Sequence, residues 1–462
     1  MSNNTNNITI EIKDFKAIEE ASIVLDGITV LSGVNSSGKS TLARLLYYSF
    51  YHSDNYAELA ERSVKKLLEI YARFLGETAN RHFIESDQPI SVEGAEFDTF
   101  ASLIKINYSS LEKAYNYVQD LNNQLLKNYE GYNWEIEVPD QKALEKITKQ
   151  SYNTRDEYLS GLRNYVDVVL ISEVRKYKET LKVRPTHLLS DALFSHFEGI
   201  KVPDLFQIEE WGEVIISTHK TNALPFRSLH RVFYIDTPMS LNIDPDNALR
   251  LVPSSLYPMH WQDLFKQIYN SDKGDFIIGD NETLYSQIFS VIDGKVNLEK
   301  LDGLRRTNIY YEDVANDIKV SIREAASGIK SFAIIQRLLD LNLLDEYTML
   351  IIDEPEAHLH PQWIVEYAKL IVNLHSLLGV QFMIASHSTD MILALRRLTE
   401  KNDDLDRHMK FYLAEESCVG CRKYTYKDCE GDISHIFRVF NKSYDKIKDF
   451  AENMTNEDEE VF

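Results

Sequence analysis

Apolar and polar residues alternate from Ile8 to Ile12, and short apolar runs follow at Phe15 to Ile18, Ile23 to Leu25 and Ile28 to Leu31. A period of two marks a strand with one buried face, whereas an unbroken apolar run suits a strand covered on both faces. The spacing predicts two or three strands, the last of them central, then a helix from Ser40 past Leu42-Ala43-Arg44-Leu45-Leu46 to Phe50. From about His52 to Gly212 the pattern changes to charged segments with helical spacing. Examples are Ala57 to Leu75, Thr99 to Tyr129 and Arg155 to Leu181, punctuated by Pro139 and Pro185. No sustained heptad repeat runs through this block, so it reads as a compact helical insertion rather than a coiled-coil arm. Strand-like runs return at Glu213 to Thr218, Arg231 to Asp236, Phe276 to Gly279, Val291 to Val296, Ile309 to Glu312 and Ile318 to Ile322. They predict an antiparallel lobe beside the core. Met259 to Tyr269 and Phe332 to Leu344 read as helices, Thr348 to Ile352 and Gln381 to Ala385 as buried parallel strands, and Lys410 to Ala414 and Arg422 to Lys427 as a late strand pair. The expectation is an α/β fold in which residues 1–51 and 213–462 form one split domain. Its core sheet is mainly parallel, and residues 52–212 are the insertion.

Composition narrows the function classes. Acidic residues outnumber basic ones 72 to 50 in 462 residues, a net charge of -22. Such a surface field repels nucleic acid, although Lys65-Lys66 or Arg396-Arg397 could line a local groove. The apolar stretch Leu370 to Ala385 is broken by Asn373, His375 and Gln381, so no membrane span is expected. The polar start Met1 to Asn7 lacks the features of an export signal, and the end, Glu457-Asp458-Glu459-Glu460, reads as a solvated acidic tail. Three cysteines are too few for a secreted disulfide framework, and a cytoplasmic location is the economical expectation. Cys418, Cys421, Cys429 and His435 have a zinc-like spacing. An extended Arg422 to Asp428 would nonetheless carry Cys429 about 25 Å from Cys421, too far to share an ion.

The chemistry concentrates in a few short strings. Gly33-Val34-Asn35-Ser36-Ser37-Gly38-Lys39-Ser40 joins a predicted buried strand to a predicted helix, the context a phosphate-binding loop needs. Gly33 and Gly38 let successive amide N–H groups converge on one spot, and the helix start adds unpaired donors and a positive dipole end. The ligand is therefore a polyanion, with Lys39 on its outer phosphates and Ser40 on an accompanying magnesium ion. Thr348 to Ile352 ends in Asp353-Glu354, where carboxylates at the C-terminal edge of a parallel sheet meet ligands. Asp353 is placed to hold magnesium, and Glu354 to act as base or to orient water at the terminal phosphate. His387 ends the second buried strand and is a candidate donor to that phosphate. Ser327-Gly328 opens a helix, which offers exposed amides or a simple cap. Gln262 and Gln267 lie in the helix-like run Met259 to Tyr269; their spacing singles out neither for a magnesium shell, and surface glutamines are the favoured reading.

Four motifs thus stand in order: Gly33 to Ser40, Ser327-Gly328, Asp353-Glu354-Pro355-Glu356-Ala357-His358-Leu359-His360-Pro361, and Ser386-His387. That order resembles the ATPase heads of the ABC superfamily, and the acidic string looks most like its RecF, SMC and OLD branch. The resemblance implies a P-loop ABC-type head binding ATP and Mg2+, with Gly33, Asn35, Ser36, Ser37, Gly38, Lys39, Ser40 and Thr41 around the nucleotide. It further implies that two heads pack head to tail as a homodimer or a higher homo-oligomer. Lys39, Ser40, Asp353, Glu354 and His387 then act on one nucleotide while Ser327 and Gly328 reach across from the other copy. The signature Ala326-Ser327-Gly328-Ile329-Lys330 departs from leucine-serine-glycine-glycine-glutamine but keeps its serine and first glycine. The segment Glu356 to His360 corresponds to the loop that touches the partner.

The stretch after His387 is too short for the nuclease domain of OLD proteins. A stand-alone head with a helical insertion resembles the ATPase components of bacterial anti-phage systems such as Septu or PARIS, which work with a separately encoded nuclease. The expected function is an ATPase controlling such an effector. A RecF-like repair or recombination ATPase that binds DNA directly is the alternative, and a transporter subunit a third reading.

Overall fold

The computed structural model describes residues 8–86, 111–131, 136–197, 201–242, 257–269, 280–301 and 306–441. The strand expected at Phe276 to Gly279, the first part of the helix expected from Thr99, and both chain ends lie outside these residues.

The first strands form as their periodicity predicts. β1 (Ile8–Phe15) alternates buried and exposed positions and pairs antiparallel with β2 (Ile18–Leu25), while β3 (Ile28–Ser32) is buried throughout. α1 (Lys39–Asp54) follows the glycine-rich loop. The chain divides into two compact units, Asn55–Leu189 and the remainder. The Asn55–Leu189 unit is helical: α2 (Tyr56–Ser86), α3 (Leu111–Gly131), α4 (Val138–Thr148), α5 (Arg155–Asn164), a π-helical turn at Tyr165–Leu170, and α6 (Ile171–Val183). It has its own apolar core, including Tyr71, Val118, Leu144, Leu162 and Val166. α5 starts in a capping box in which Thr154 and Glu157 satisfy each other's backbone N–H groups.

After α7 (Thr186–Ser195) the chain builds β4 (Leu205–Glu210) and β5 (Glu213–Ser217). The sequence reading ran the helical block on to Gly212. β4 instead pairs antiparallel with β1, Ile10 opposite Ile208, because its buried residues fall on every second position. β6 (Arg231–Ile235), read from its pattern as part of the antiparallel lobe, is the parallel edge strand of the core. α8 (Met259–Ile268) and α9 (Asp280–Ile292) precede a separate antiparallel sheet of β7 (Gly294–Leu301), β8 (Arg306–Asp313) and β9 (Ile318–Ser321). A strand was expected from Val291, but Leu284, Ile288 and Ile292 recur every four residues and are buried as one helix face, so the strand starts only after Asp293.

The rest of the chain alternates helix and strand: α10 (Ser327–Asp340), β10 (Thr348–Asp353), α11 (Pro361–Leu378), β11 (Gln381–Ser386), α12 (Thr389–Thr399), β12 (Met409–Glu416) and β13 (Tyr424–Asp428). All ten strands outside β7–β9 form one sheet in the order β5-β4-β1-β2-β13-β12-β3-β11-β10-β6. From β12 to β6 every neighbouring pair is parallel. The antiparallel strands β1, β2, β4 and β5 are thus continuous with the core, whereas β7–β9 of the expected lobe form a sheet of their own. The late strand β12 sits beside β3, and its Tyr412 hydroxyl accepts the Val24 N–H of β2 at 3.0 Å. β3, β10 and β11 are almost wholly buried, and their C-terminal ends deliver the glycine-rich loop, Asp353 and Ser386 to one edge.

Candidate functional site

The loop between β3 and α1 curls through Gly33 (φ 152°), Ser36 (φ 65°) and Gly38 (φ 101°). A Cβ at Gly38 would stand 2.6 Å from Ile18 Cγ1, and one at Gly33 2.8 Å from Ala414 Cβ, so β2 and β12 leave room only for bare backbone. Tyr426 of β13 donates its hydroxyl to the Ser37 carbonyl at 3.3 Å, and Ser37 N–H reaches the Val34 carbonyl at 3.3 Å. Lys39 is 5% exposed and its Nζ donates to the carbonyls of Gly33 at 2.9 Å and Val34 at 3.0 Å. Burial pushes its pKa below the ordinary lysine value, against the opposing pull of Asp353, Glu354 and Glu356. These three acids are the nearby counter-charges of the loop lysine.

Asp353 closes β10 opposite the loop. Tyr234 of β6 donates its hydroxyl to Asp353 Oδ2 at 3.2 Å, and the ring of Tyr234 lies 4.5 Å from that of His260. His260 Nε2 in turn meets Asp236 Oδ2 at 2.9 Å, just past the end of β6. Burial pushes the Asp353 carboxyl above the usual carboxylate range, outweighing the Ser40 and Tyr234 hydroxyls and Lys39, which favour its charged form. Its Oδ1 is buried without a hydrogen bond of normal geometry. A half-satisfied carboxylate facing a serine hydroxyl is the donor set of a hard cation, and Ser40 with Asp353 fits magnesium.

Glu354 follows in the left-handed region (φ 49°), held there by its N–H to the Ala385 carbonyl at 2.8 Å. The kink turns its side chain toward His387, whose Nδ1 is 3.5 Å from Glu354 Oε1 and 3.4 Å from Glu356 Oε1. Glu356, read from the sequence with the partner-facing loop, turns inward and is buried. His360 instead caps α11, its ring accepting the Gln362 N–H at 3.4 Å, and His358 occupies φ 70°. Lys39, Ser40, Asp353, Glu354 and His387 therefore come together at one sheet edge.

Ser327 and Gly328 are held on a different element. They begin α10, where Gly328 packs on Trp363 and Leu359, and no hydrogen bond among the described residues joins either to the glycine-rich loop. Lys330, in the same signature, is buried and donates to Asn242 Oδ1 at 2.7 Å and the Arg323 carbonyl at 2.8 Å. Gln262 Nε2 donates to the Tyr257 carbonyl at 2.8 Å. The side chain that bonds Asp353 from the neighbouring strand is Tyr234, which sequence reasoning missed together with Tyr426. Glu356 and Ser386 stood in the quoted motifs, Glu356 as part of the partner-touching loop and Ser386 without a role of its own. Cys418 and Cys421 are paired at the tip of the β12–β13 hairpin, while Cys429 follows β13 and burial pushes its thiol up to about 12. Among the described residues no group of three histidine, cysteine or acidic side chains could hold a metal ion, and no helix is long and apolar enough to cross a membrane.

Comparison with known proteins adds the family. A family model described as AAA ATPase domain matches residues 8–392. No curated protein matches the chain. Similar solved structures include an SMC head bound to the C-winged helix domain of ScpA (12% identity, 92% of this chain and 97% of that one, TM-score 0.35). Others are the SMC head domain from Thermotoga maritima (10%, 92% and 99%, TM-score 0.35) and the ADP form of an ATP-binding cassette from an ABC transporter (11%, 93% and 94%, TM-score 0.32). The family match takes in the glycine-rich loop, the acid pair and His387 on one α/β sheet: the chain belongs to the AAA ATPase domain family, and it is an ATPase.

Proposed function

We propose that this ATPase works as one half of a head-to-tail clamp on magnesium-ATP and that its cycle controls a separately encoded effector, a nuclease, in anti-phage defence. The observation that carries the clamp is the convergence of Lys39, Asp353, Glu354 and His387 on one edge; the second copy's Ser327 and Gly328, at the start of α10, are taken from the resemblance as the groups that close it. Gly33, Asn35, Ser36, Ser37, Gly38 and Thr41 offer amides and hydroxyls to the phosphates, and Lys39 leaves its own loop's carbonyls for the terminal ones. Ser40 and Asp353 would hold magnesium, which would supply neutralisation of the phosphate charge. Glu354 orients water and takes its proton, and His387 donates to the terminal phosphate. The effector and the defence role rest on the resemblance of a head with a helical unit to such systems. Direct DNA binding is less well supported, because Lys65 pairs with Glu61, Arg396 with Asp406 and Arg397 with Glu400.

Two measurements test the reading. The Glu354→Gln protein with ATP and Mg2+ should double in mass by light scattering, and Ser327→Arg should abolish the doubling; a monomer at all nucleotide concentrations would remove the clamp. Expressed with its neighbouring genes, the wild type should lower phage plating and Lys39→Ala should not; equal plating would remove the defence role. Gly38→Ala is expected to weaken ATP binding by at least about ten-fold. Its φ of 101° and the 2.6 Å approach to Ile18 leave a methyl group no place, and strain of this kind costs about 1–3 kcal/mol. Equilibrium titration with a fluorescent ATP analogue reads the loss.

A further inference from the structure

We infer that Glu356 is a positioning residue for His387, setting which ring nitrogen faces the terminal phosphate. The inference rests on the reading of His387 as a phosphate donor. Glu356 is 9% exposed, and its Oε1 accepts from Ser386 Oγ at 2.9 Å and from His387 N–H at 2.9 Å. The same oxygen lies 3.4 Å from His387 Nδ1, and Glu354 Oε1 lies 3.5 Å from it on the other side. A carboxylate can only accept, so the nitrogen between two of them is the one that carries a proton. That leaves Nε2 as the nitrogen turned away from the acids, and it donates to a phosphate when both ring nitrogens carry a proton, the form whose charge the two carboxylates at Nδ1 offset. Glu354 is half exposed and sits on a kinked backbone, whereas Glu356 is bonded to both the backbone and the serine next to the histidine. The buried carboxylate is thus the fixed wall against which the ring rests.

The hydrogen bonds also tie two strand ends together. Glu356 lies three residues past the end of β10, and Ser386 ends β11. Turn bonds from Ala357 N–H to the Glu354 carbonyl at 2.9 Å and from Leu359 N–H to the Glu356 carbonyl at 3.1 Å fix the connecting segment. A shift of His387 is therefore felt at Glu354, the proposed base, through one side chain. Its other oxygen, Oε2, is buried without a partner. A buried acceptor left unpaired is costly to stability, which makes a purely architectural role for an acid here uneconomical.

A double-mutant cycle tests this. His387→Ala should lower kcat by on the order of 100-fold, the usual worth of one donor at a developing charge. Glu356→Gln keeps the shape and an accepting oxygen for Ser386 and the His387 N–H but loses the charge beside Nδ1. It should lower kcat about ten-fold with KM within about two-fold. Because Glu356 acts through His387, Glu356→Gln added to His387→Ala should cost nothing more. Glu356→Asp, which keeps the charge at a shorter reach, should recover part of the loss. Unchanged kcat in Glu356→Gln, or losses that multiply in the double variant, would overturn the positioning role while leaving His387 in place. Full turnover in His387→Ala would instead overturn the reading of His387 and the inference with it. Circular dichroism of each variant checks that the fold is kept, and Glu356→Gln is the variant least able to disturb it.

Discussion

Glu354→Gln is expected to lower ATP turnover by on the order of 100- to 10,000-fold, the range a general base contributes, while ATP binding persists. The argument starts from the backbone. A glutamate with φ 49° lies in a region that costs a non-glycine residue about 1–3 kcal/mol, and it stays there because its N–H is tied to the Ala385 carbonyl at 2.8 Å. The consequence is a side chain led away from the direction of Asp353 and toward His387. Glutamine has the same shape and can still accept from His387, but it cannot take up a proton. Glu354 also adds negative charge near Lys39, and removing that charge lessens the repulsion on the incoming phosphates. Affinity should therefore be equal to or tighter than that of the wild type. Phosphate release under saturating ATP and a binding titration separate the two effects. Turnover within about two-fold of the wild type, with the substitution confirmed by mass, would remove Glu354 from the chemistry.

The parts of this site that were legible in the sequence are those whose chemistry is local. Gly33 to Ser40 carries its own turn residues, its lysine and its helix start within one string, and Asp353-Glu354 ends an apolar run that could only be a buried strand. Tyr234 was not legible, because its link to Asp353 exists only once β6 lies parallel to β10, 119 residues along the chain. Tyr426 reaches the Ser37 carbonyl across 389 residues for the same reason, through the placement of β13 between β2 and β12. β4 was hidden by its short, half-polar sequence, and its strand character comes from the partner it finds in β1. In α9 the misreading had another cause: Val291 to Val296 crosses a helix end and a strand start, so its apolar residues belong to two periods. The role of the Asn55–Leu189 unit stayed illegible because its residues are engaged in their own core, as Tyr71 with Asn122 and Thr78 with Asp140 illustrate.

Asp353→Asn should abolish turnover and stabilise the fold at once. The wild-type carboxyl has one oxygen on Tyr234 and another buried without a hydrogen bond of normal geometry, and burial raises its pKa. The sign of the linkage follows from that direction. A carboxyl whose folded pKa lies above its unfolded one binds more protons when folded, so stability falls as pH rises from the ordinary aspartate value through the raised one. Above that window the penalty is fully present. Asparagine carries no charge to desolvate and can still accept the Tyr234 hydroxyl. The variant should gain about 1–3 kcal/mol above that window, the scale of a buried polar group left unpaired, and should lose the downward slope above the aspartate range. Turnover should fall on the order of 100-fold or more, because Ser40 alone is left to hold the cation. Calorimetric melting with and without ATP and Mg2+ distinguishes the two consequences: added Mg2+ should stabilise the nucleotide-bound wild type and do little for the variant. A variant that melts below the wild type above that window would mean that Asp353 is needed by the fold itself, and that its unpaired oxygen is not held ready for a cation.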